Sequence, residues 1–342
     1  MRPASLLLVL SLSLPAGLPA FAQAPGVGAD AAPFSFVAFG DMPYCSPVRP
    51  QDCAAEEGRV ARLVGEINEA RPAFSILVGD TKGGSDVCTE AKLLGPLAWM
   101  SLSAAPLVYT PGDNEWTDCW QDRGGRYNPL ERLALIRSRF FADSSSLGRQ
   151  KMEVVRQADL GPVHRLLVEN ARWMRNGVVF ATLHVVGSNN NRPTDPGERP
   201  ASRPPEGAMA EFEARNAANL AWLEATFAEA RRTNARAVVL AQQADIFYAA
   251  QCNRGYDSGY REYREALGRA ASAFGGPVLL IHGDSHVFMH DRPLAAAPNL
   301  VRLMVPGASE TRAVRVATDV NAAETFTFSL IGPDDRVMTD RC

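Results

Sequence analysis

The chain has 342 residues, 46% hydrophobic and 21% charged, proportions that exclude a disordered or fibrous chain and suit a soluble domain with a large core. A formal charge of -3 argues against a protein that grips a nucleic-acid backbone, which needs a basic surface. With 24 prolines and 27 glycines, a compact body with long loops is expected.

Arg2 precedes an apolar run from Leu6 to Leu14, and Ala20-Phe21-Ala22 closes the segment. These are the three parts of a secretory signal peptide over residues 1–22, which predicts a secreted or periplasmic protein. The run breaks at Pro15 and Gly17, too soon for a span of about 20 apolar residues, so no transmembrane anchor is expected. About 320 residues remain, one large domain or two small ones, and one continuous domain over 34–342 is the reading adopted. Residues 23–33 are a flexible lead-in to it. The pattern then predicts a strand at Phe34–Phe39, a helix at Ala54–Ala70, a strand at Phe74–Val78, a helix at Thr89–Ser101 and a strand at Pro106–Thr110. This alternation implies parallel strands joined by right-handed crossovers.

A helix is predicted at Pro129–Phe141, and a hairpin of long strands over Leu166–Val186 with Asn176-Gly177 at its turn. The polar stretch 188–207 reads as a surface loop, followed by a helix at Ala208–Arg232. His184, in the second hairpin strand, reads as a satisfied buried histidine. A strand at Ala237–Ala241, a helix at 257–274 and a strand at Pro277–His282 follow. Leu300–Val305, Ala313–Ala317 and Thr325–Ile331 are expected to be antiparallel strands.

All six cysteines, at 45, 53, 88, 119, 252 and 342, lie beyond the leader, and an even count in an oxidising compartment favours disulfides. Cys45 with Cys53 would close a short loop, with Cys88–Cys119 and Cys252–Cys342 by elimination, though spacing alone leaves the pairing open. There is no Cys-x-x-Cys and no zinc-like spacing.

Four predicted strands end in Gly-Asp, at Asp41, Asp80, Asp113 and Asp284, and His286 lies two residues after the last. Ligands of α/β sheets bind outside the carboxyl ends of the strands. One Gly-Asp is readily a turn with a helix-capping carboxylate, but four gathered acids repel one another unless a cation neutralises them. Oxygen donors with an imidazole suit Mg²⁺, Mn²⁺ or Ca²⁺, with Zn²⁺ or Fe as alternatives. Gly79-Asp80-Thr81-Lys82-Gly83-Gly84 lacks the spacing of a nucleotide-binding P-loop.

In order, these blocks resemble those of the calcineurin-like metallophosphoesterases. Gly40-Asp41-Met42-Pro43-Tyr44 is similar to the first block, with Pro43 in place of a histidine. Gly79-Asp80 matches the second, and Gly112-Asp113-Asn114-Glu115 the third, with Asp113 for a ligand asparagine and Asn114 for the catalytic histidine. Gln242 stands where the fourth block has a histidine, and Gly283-Asp284-Ser285-His286 is similar to the fifth, with Asp284 for its first histidine. The resemblance implies an α/β sandwich of two mixed β-sheets flanked by helices (α/β/β/α), two divalent metal ions and a small phosphorylated substrate. It assigns Asp41, Asp80 and His286 to one ion and Asp80, Asp113, Asp284 and the Gln242 carbonyl to the other. Mn²⁺ or Mg²⁺ is favoured.

Asn114 cannot give up a proton at useful pH, so the catalytic position lacks a general acid. His282 either takes that role or orients a ligand; if its strand runs straight, it faces the same way as Asp284 and His286. Tyr44 and Lys82, next to the first two acids, are candidate phosphate contacts, and Lys82 reads equally as offsetting the local acids or facing solvent. The implied function is metal-dependent phosphoester hydrolysis outside the cytoplasm. The alternative is a non-catalytic metal- or phosphate-ligand-binding protein on the same fold.

Overall fold

A computed structural model describes residues 31–45, 52–252, 255–332, 337 and 339. The leader at 1–22, most of the lead-in and Cys342 lie outside these residues. The first third contains β1 (Phe34–Phe39), α1 (Cys53–Glu69), β2 (Ser75–Leu77), α2 (Glu90–Leu94), α3 (Leu97–Met100) and β3 (Leu107–Tyr109). Next come α4 (Pro129–Phe140), β4 (Val155–Arg156), β5 (Ala171–Arg175), β6 (Val178–Thr182), α5 (Ala208–Arg232), β7 (Ala237–Ala241) and α6 (Tyr248–Cys252). The rest is α7 (Arg261–Phe274), β8 (Val278–His282), β9 (Met289–Asp291), β10 (Leu300–Met304), β11 (Ala313–Thr318) and β12 (Phe326–Ile331).

These strands form two mixed sheets. The five-stranded sheet has the order β12-β11-β1-β2-β3 and the seven-stranded sheet β4-β5-β6-β7-β8-β10-β9. Within them β1, β2 and β3 run parallel, as do β6, β7, β8 and β10. Both parallel sets are covered on two faces, which is why β6, β7 and β8 are buried at every position rather than alternating.

Three apolar layers hold the four-layer stack together. Phe36, Phe74, Trp173 and Phe180 lie between the sheets, where Phe180 stacks on Trp173 at 5.3 Å and meets Phe74 edge-on at 5.0 Å. Trp222, Phe227, Tyr263 and Leu267 of α5 and α7 cover the outer face of the larger sheet. Val60, Leu63, Val64 and Ile67 of α1, with Leu133 and Ile136 of α4, cover the smaller one. Among the described residues, no helix is long and apolar enough to cross a membrane.

Several expectations need correction. The helix expected at Thr89–Ser101 is two short helices, because Pro96 has no N–H to carry the first into the second. The hairpin strands are shorter than Leu166–Val186, although the turn is at Asn176-Gly177, both with positive φ. Leu300–Met304 runs parallel to β8, not antiparallel, because the short β9 returns the chain first. β11 and β12 are antiparallel as expected. The stretch 188–207 lies at the surface only from Arg192 on; Asn189, Asn190 and Asn191 are buried.

Cys45–Cys53 and Cys88–Cys119 are disulfides, Cys252 is also disulfide-bonded, and no described cysteine is free. Removing the ring that joins the sheets should show in stability. Phe180→Ala is expected to cost about 3–5 kcal/mol of unfolding free energy in denaturant titration. A loss below about 1 kcal/mol would remove this ring as the joint between the sheets.

Candidate metal centre

Parallel strands place their carboxyl ends together, and both parallel sets end on the same seam. Asp41 follows β1, Asp80 follows β2, Asp113 follows β3 and Asp284 follows β8. Asp284 N donates to Asp41 Oδ1 at 3.0 Å, which ties the seven-stranded sheet to the five-stranded one at this edge. Asp41, Asp80 and Asp284 have φ of 55°, 52° and 72°, left-handed conformations uncommon outside glycine. The glycines serve their neighbours. A Cβ on Gly112 would lie 2.0 Å from Asp80 Oδ1, and one on Gly283 would lie 1.8 Å from Asp41 Oδ2. At these two steps the glycine leaves room for the acid of another strand.

Glu115 sets the turns. Its buried carboxylate accepts from Thr81 N at 2.7 Å, Thr81 Oγ1 at 3.0 Å and Tyr109 OH at 3.2 Å on one oxygen. The other oxygen accepts from Asp80 N at 3.2 Å and Gly112 N at 3.1 Å. Asn114 N donates to Asp80 Oδ1 at 3.1 Å, while its side-chain amide donates to Asp80 Oδ2 at 2.7 Å and Tyr44 OH at 2.9 Å. The Tyr44 hydroxyl is also 2.8 Å from Asp80 Oδ2 and 3.2 Å from His286 Nε2. His286 Nε2 is 3.5 Å from Asp41 Oδ1. Tyr44, Asn114, Asp80, Asp41 and His286 are thus one connected group.

Asp113 lies at the other end. Its Oδ1 accepts from Gln243 Nε2 at 3.0 Å, and its Oδ2 lies 2.9 Å from Ser188 Oγ. Gln243 in turn accepts from Gly187 N at 2.6 Å. The adjacent Gln242 turns its amide nitrogen to Ala244 O at 2.9 Å, and its Oε1 is buried without a hydrogen-bond donor. Neither Gln243 nor Ser188 carries a sequence signal of its own; each is one residue in a run of amides or hydroxyls. Asp245 N donates to Asp284 Oδ2 at 2.9 Å, a further contact the sequence left unmarked.

His282 is fully buried. Its Nδ1 lies 2.9 Å from Gly283 O and its Nε2 4.0 Å from Asp245 Oδ1. Strand parity with Asp284 and His286 fails because the strand ends at His282, and Asp284 and His286 both have positive φ. Lys82 is buried as well, with Nζ 3.0 Å from Gly83 O. Burial lowers the pKa of its ammonium, against the pull of Glu115, Asp80, Asp86 and Asp118. His184 is the buried histidine expected, with Nδ1 2.6 Å from Glu169 Oε1.

The charges fit a cation. Burial raises the pKa of Asp41, Asp80, Asp113 and Asp284, and neighbouring acids add to the effect at Asp80 and Asp113. Asp41 Oδ2 is buried with no hydrogen-bond donor. Burial lowers His286, but Asp41 and Asp284 outweigh it and hold the imidazole above its ordinary value. The acids are more widely spread than in a tight cluster. Among the described residues, the group of three ligand-type side chains whose donor atoms all lie within 4.8 Å is Cys45, Cys53 and Glu57. Its sulfurs are bonded to each other and offer no thiolate, so that group is not a metal site.

No protein-family model matches the chain, and neither does any curated protein. Solved structures do. A purple acid phosphatase from yellow lupin (Lupinus luteus) seeds aligns with a TM-score of 0.51 at 10% identity, over 89% of this chain and 54% of that one. The chain thus spans about half of the lupin phosphatase. A dimetal phosphatase from Danio rerio aligns with a TM-score of 0.51 at 11% identity, over 88% of this chain and 99% of that one. The two mixed β-sheets flanked by helices match the sandwich that the sequence resemblance implied, a likeness of fold alone.

These shifts set the pH response. The Asp284 carboxyl is pushed up to about 7 by burial, and Asp41, Asp80 and Asp113 move the same way. Such acids hold more protons folded than unfolded, so the cation-free protein loses stability as pH rises from the ordinary carboxylate range through about 7. Glu169 has the opposite sign: burial opposes the charges of Arg137 and His184, which prevail and hold it at about 2. Its contribution is complete above the ordinary carboxylate range and does not vary across this window. The melting temperature without cation is expected to be higher near about pH 5 than near about pH 7.5, and added Mn²⁺ should raise it mainly at the higher pH. Equal stabilisation at both values would rule out these acids as the cation site.

Proposed function

We propose that the chain binds divalent cations at its strand-end acids and, through them, a small phosphorylated ligand. The observation that carries this reading is Asp41 Oδ2, a buried acceptor without a donor in a group of buried carboxylates. Asp41, Asp80 and His286 would hold one ion, and Asp80, Asp113, Asp284 and the Gln242 carbonyl oxygen of the side chain or backbone a second. The donors are mostly hard oxygens, which favours Mn²⁺ or Mg²⁺. Bound ions of this kind supply positive charge for phosphoryl oxygens and acidify water. The chain's own contribution is orientation: Asn114 and Tyr44 hold Asp80, and Lys82 adds a buried positive charge beside it. Paired cysteines and the leader segment support a place outside the cytoplasm.

Hydrolysis of the ligand is the second reading, and the half-buried Tyr44 hydroxyl is the observation that favours it. Burial and then Asp80 raise its pKa well above the usual phenol value, so it keeps its proton. It is the proton-bearing group beside Asp80 that Asn114 cannot be. So weak an acid suits leaving groups that depart with little help, which favours aryl over alkyl phosphoesters.

Calorimetric titration of the metal-free protein with Mn²⁺, and then with inorganic phosphate, tests the first reading. Uptake of cation by wild type and its loss in Asp80→Asn, with phosphate binding only after cation, is the expected result. A folded wild type that takes up no cation overturns it. Steady-state assays with matched aryl and alkyl phosphoesters test the second. Turnover of the aryl ester well above that of the alkyl ester, with the alkyl rate falling further than the aryl rate in Tyr44→Phe, would support catalysis, and no turnover by the cation-loaded protein would leave binding alone.

A further inference from the structure

After β6 the chain enters a turn of unusual hand. Ser188, Asn189, Asn190 and Asn191 have φ of 48°, 55°, 56° and 60°, four consecutive left-handed residues without a glycine. L-residues visit this region singly, because Cβ crowds the carbonyl oxygen, so the surroundings must hold such a run in place. Asn189 Oδ1 accepts from Gly259 N at 2.9 Å, and its amide donates to Ser258 Oγ at 3.1 Å. Asn190 N donates to Tyr260 OH at 3.2 Å, its amide donates to Gly259 O at 3.2 Å, and its Oδ1 accepts from Arg215. Asn191 donates to Glu211 Oε2 at 2.8 Å. A Cβ on Gly259 would lie 2.1 Å from Asn189 O, so that glycine makes room for the turn.

The three asparagines are buried and used as anchors, whereas Ser188 is half-buried and faces the acids. Its hydroxyl oxygen is 2.6 Å from Asp118 Oδ1 and 2.9 Å from Asp113 Oδ2. A hydroxyl has one proton and two lone pairs. Given to Asp118, the nearer partner, that proton leaves lone pairs on Ser188 facing the Asp113 carboxylate. Two acceptors at that distance are repulsive unless a proton or a cation lies between them, and a bound cation displaces the proton. Asp118 is itself paired with Arg123 at 3.3 Å.

We infer that the Ser188 hydroxyl oxygen is a ligand of the cation held by Asp113, with Asp118 as the acceptor of its hydrogen bond. The inference rests on the cation-binding reading above and adds a donor from outside the five strand-end blocks. A neutral hydroxyl donor is hard, so it strengthens the preference for Mn²⁺ or Mg²⁺ over softer ions.

Two variants test it. Glycine tolerates positive φ, so Ser188→Gly should fold with a melting temperature, measured without cation, equal to or above that of wild type. Its Mn²⁺ affinity should nevertheless fall by about 10- to 100-fold in calorimetry. A merely structural serine would lower both together or neither. Ser188→Cys places a soft donor at the same point, so Cd²⁺ should gain on Mn²⁺ in competition and show a sulfur-to-metal charge-transfer band. Wild-type Mn²⁺ uptake with an unchanged affinity in Ser188→Gly, or no such band in Cd²⁺-loaded Ser188→Cys, overturns this inference alone. A wild type that takes up no cation overturns it together with the reading on which it rests.

Discussion

Five hydrogen bonds to the Glu115 carboxylate hold the turns after β2 and β3 in one arrangement. Backbone N–H groups at strand ends have lost their ladder partners and need an acceptor when buried. Here one side chain serves three of them, at Asp80, Thr81 and Gly112, and takes two hydroxyls as well. The positions of Asp80 and Asp113 follow from that clamp, and Asn114, next to Glu115 in sequence, is brought onto Asp80 by the same turn. An alanine at this position would strand several buried donors at once, which is costlier than losing any single bond.

The centre belongs to neither sheet alone. Asp41, Asp80 and Asp113 come from the five-stranded sheet, and Gln243, Asp284 and His286 follow strands of the seven-stranded one. The aromatic layer of Phe36, Phe74, Trp173 and Phe180 fixes how the sheets face each other, so packing far from the acids determines their spacing. Among the polar contacts that carry that spacing to the site are the Asp284 amide on Asp41 and the Gln243 amide on Asp113. Both link main-chain or neutral groups to a carboxylate, and so they orient the acids without supplying a counter-charge.

Much of this was legible in the sequence because strand ends punctuate it. Apolar runs closed by Gly-Asp located the four acids, and the alternation of strands and helices implied the parallel order that gathers them. What stayed hidden depends on non-local geometry. Ser188 and Gln243 reach Asp113 across 75 and 130 residues, distances over which no periodicity speaks. The direction of β10 turned on β9, three residues too few for a pattern. Strand parity could not relate His282 to Asp284 and His286, because it holds only while the strand continues and left-handed residues follow at those two positions.

The space beside Gly112 and Gly283 has a consequence for how such a chain can diverge. Any side chain at either position would occupy the volume of an acid on another strand, so a glycine and the aspartate it admits can change only together. The donor positions themselves are less constrained, because an imidazole, an amide or a carboxylate can each fill the end of a turn of the same shape. Drift would therefore exchange donors readily and leave the glycines in place. Descent within such a fold would be better traced by its small residues than by the side chains that do its chemistry.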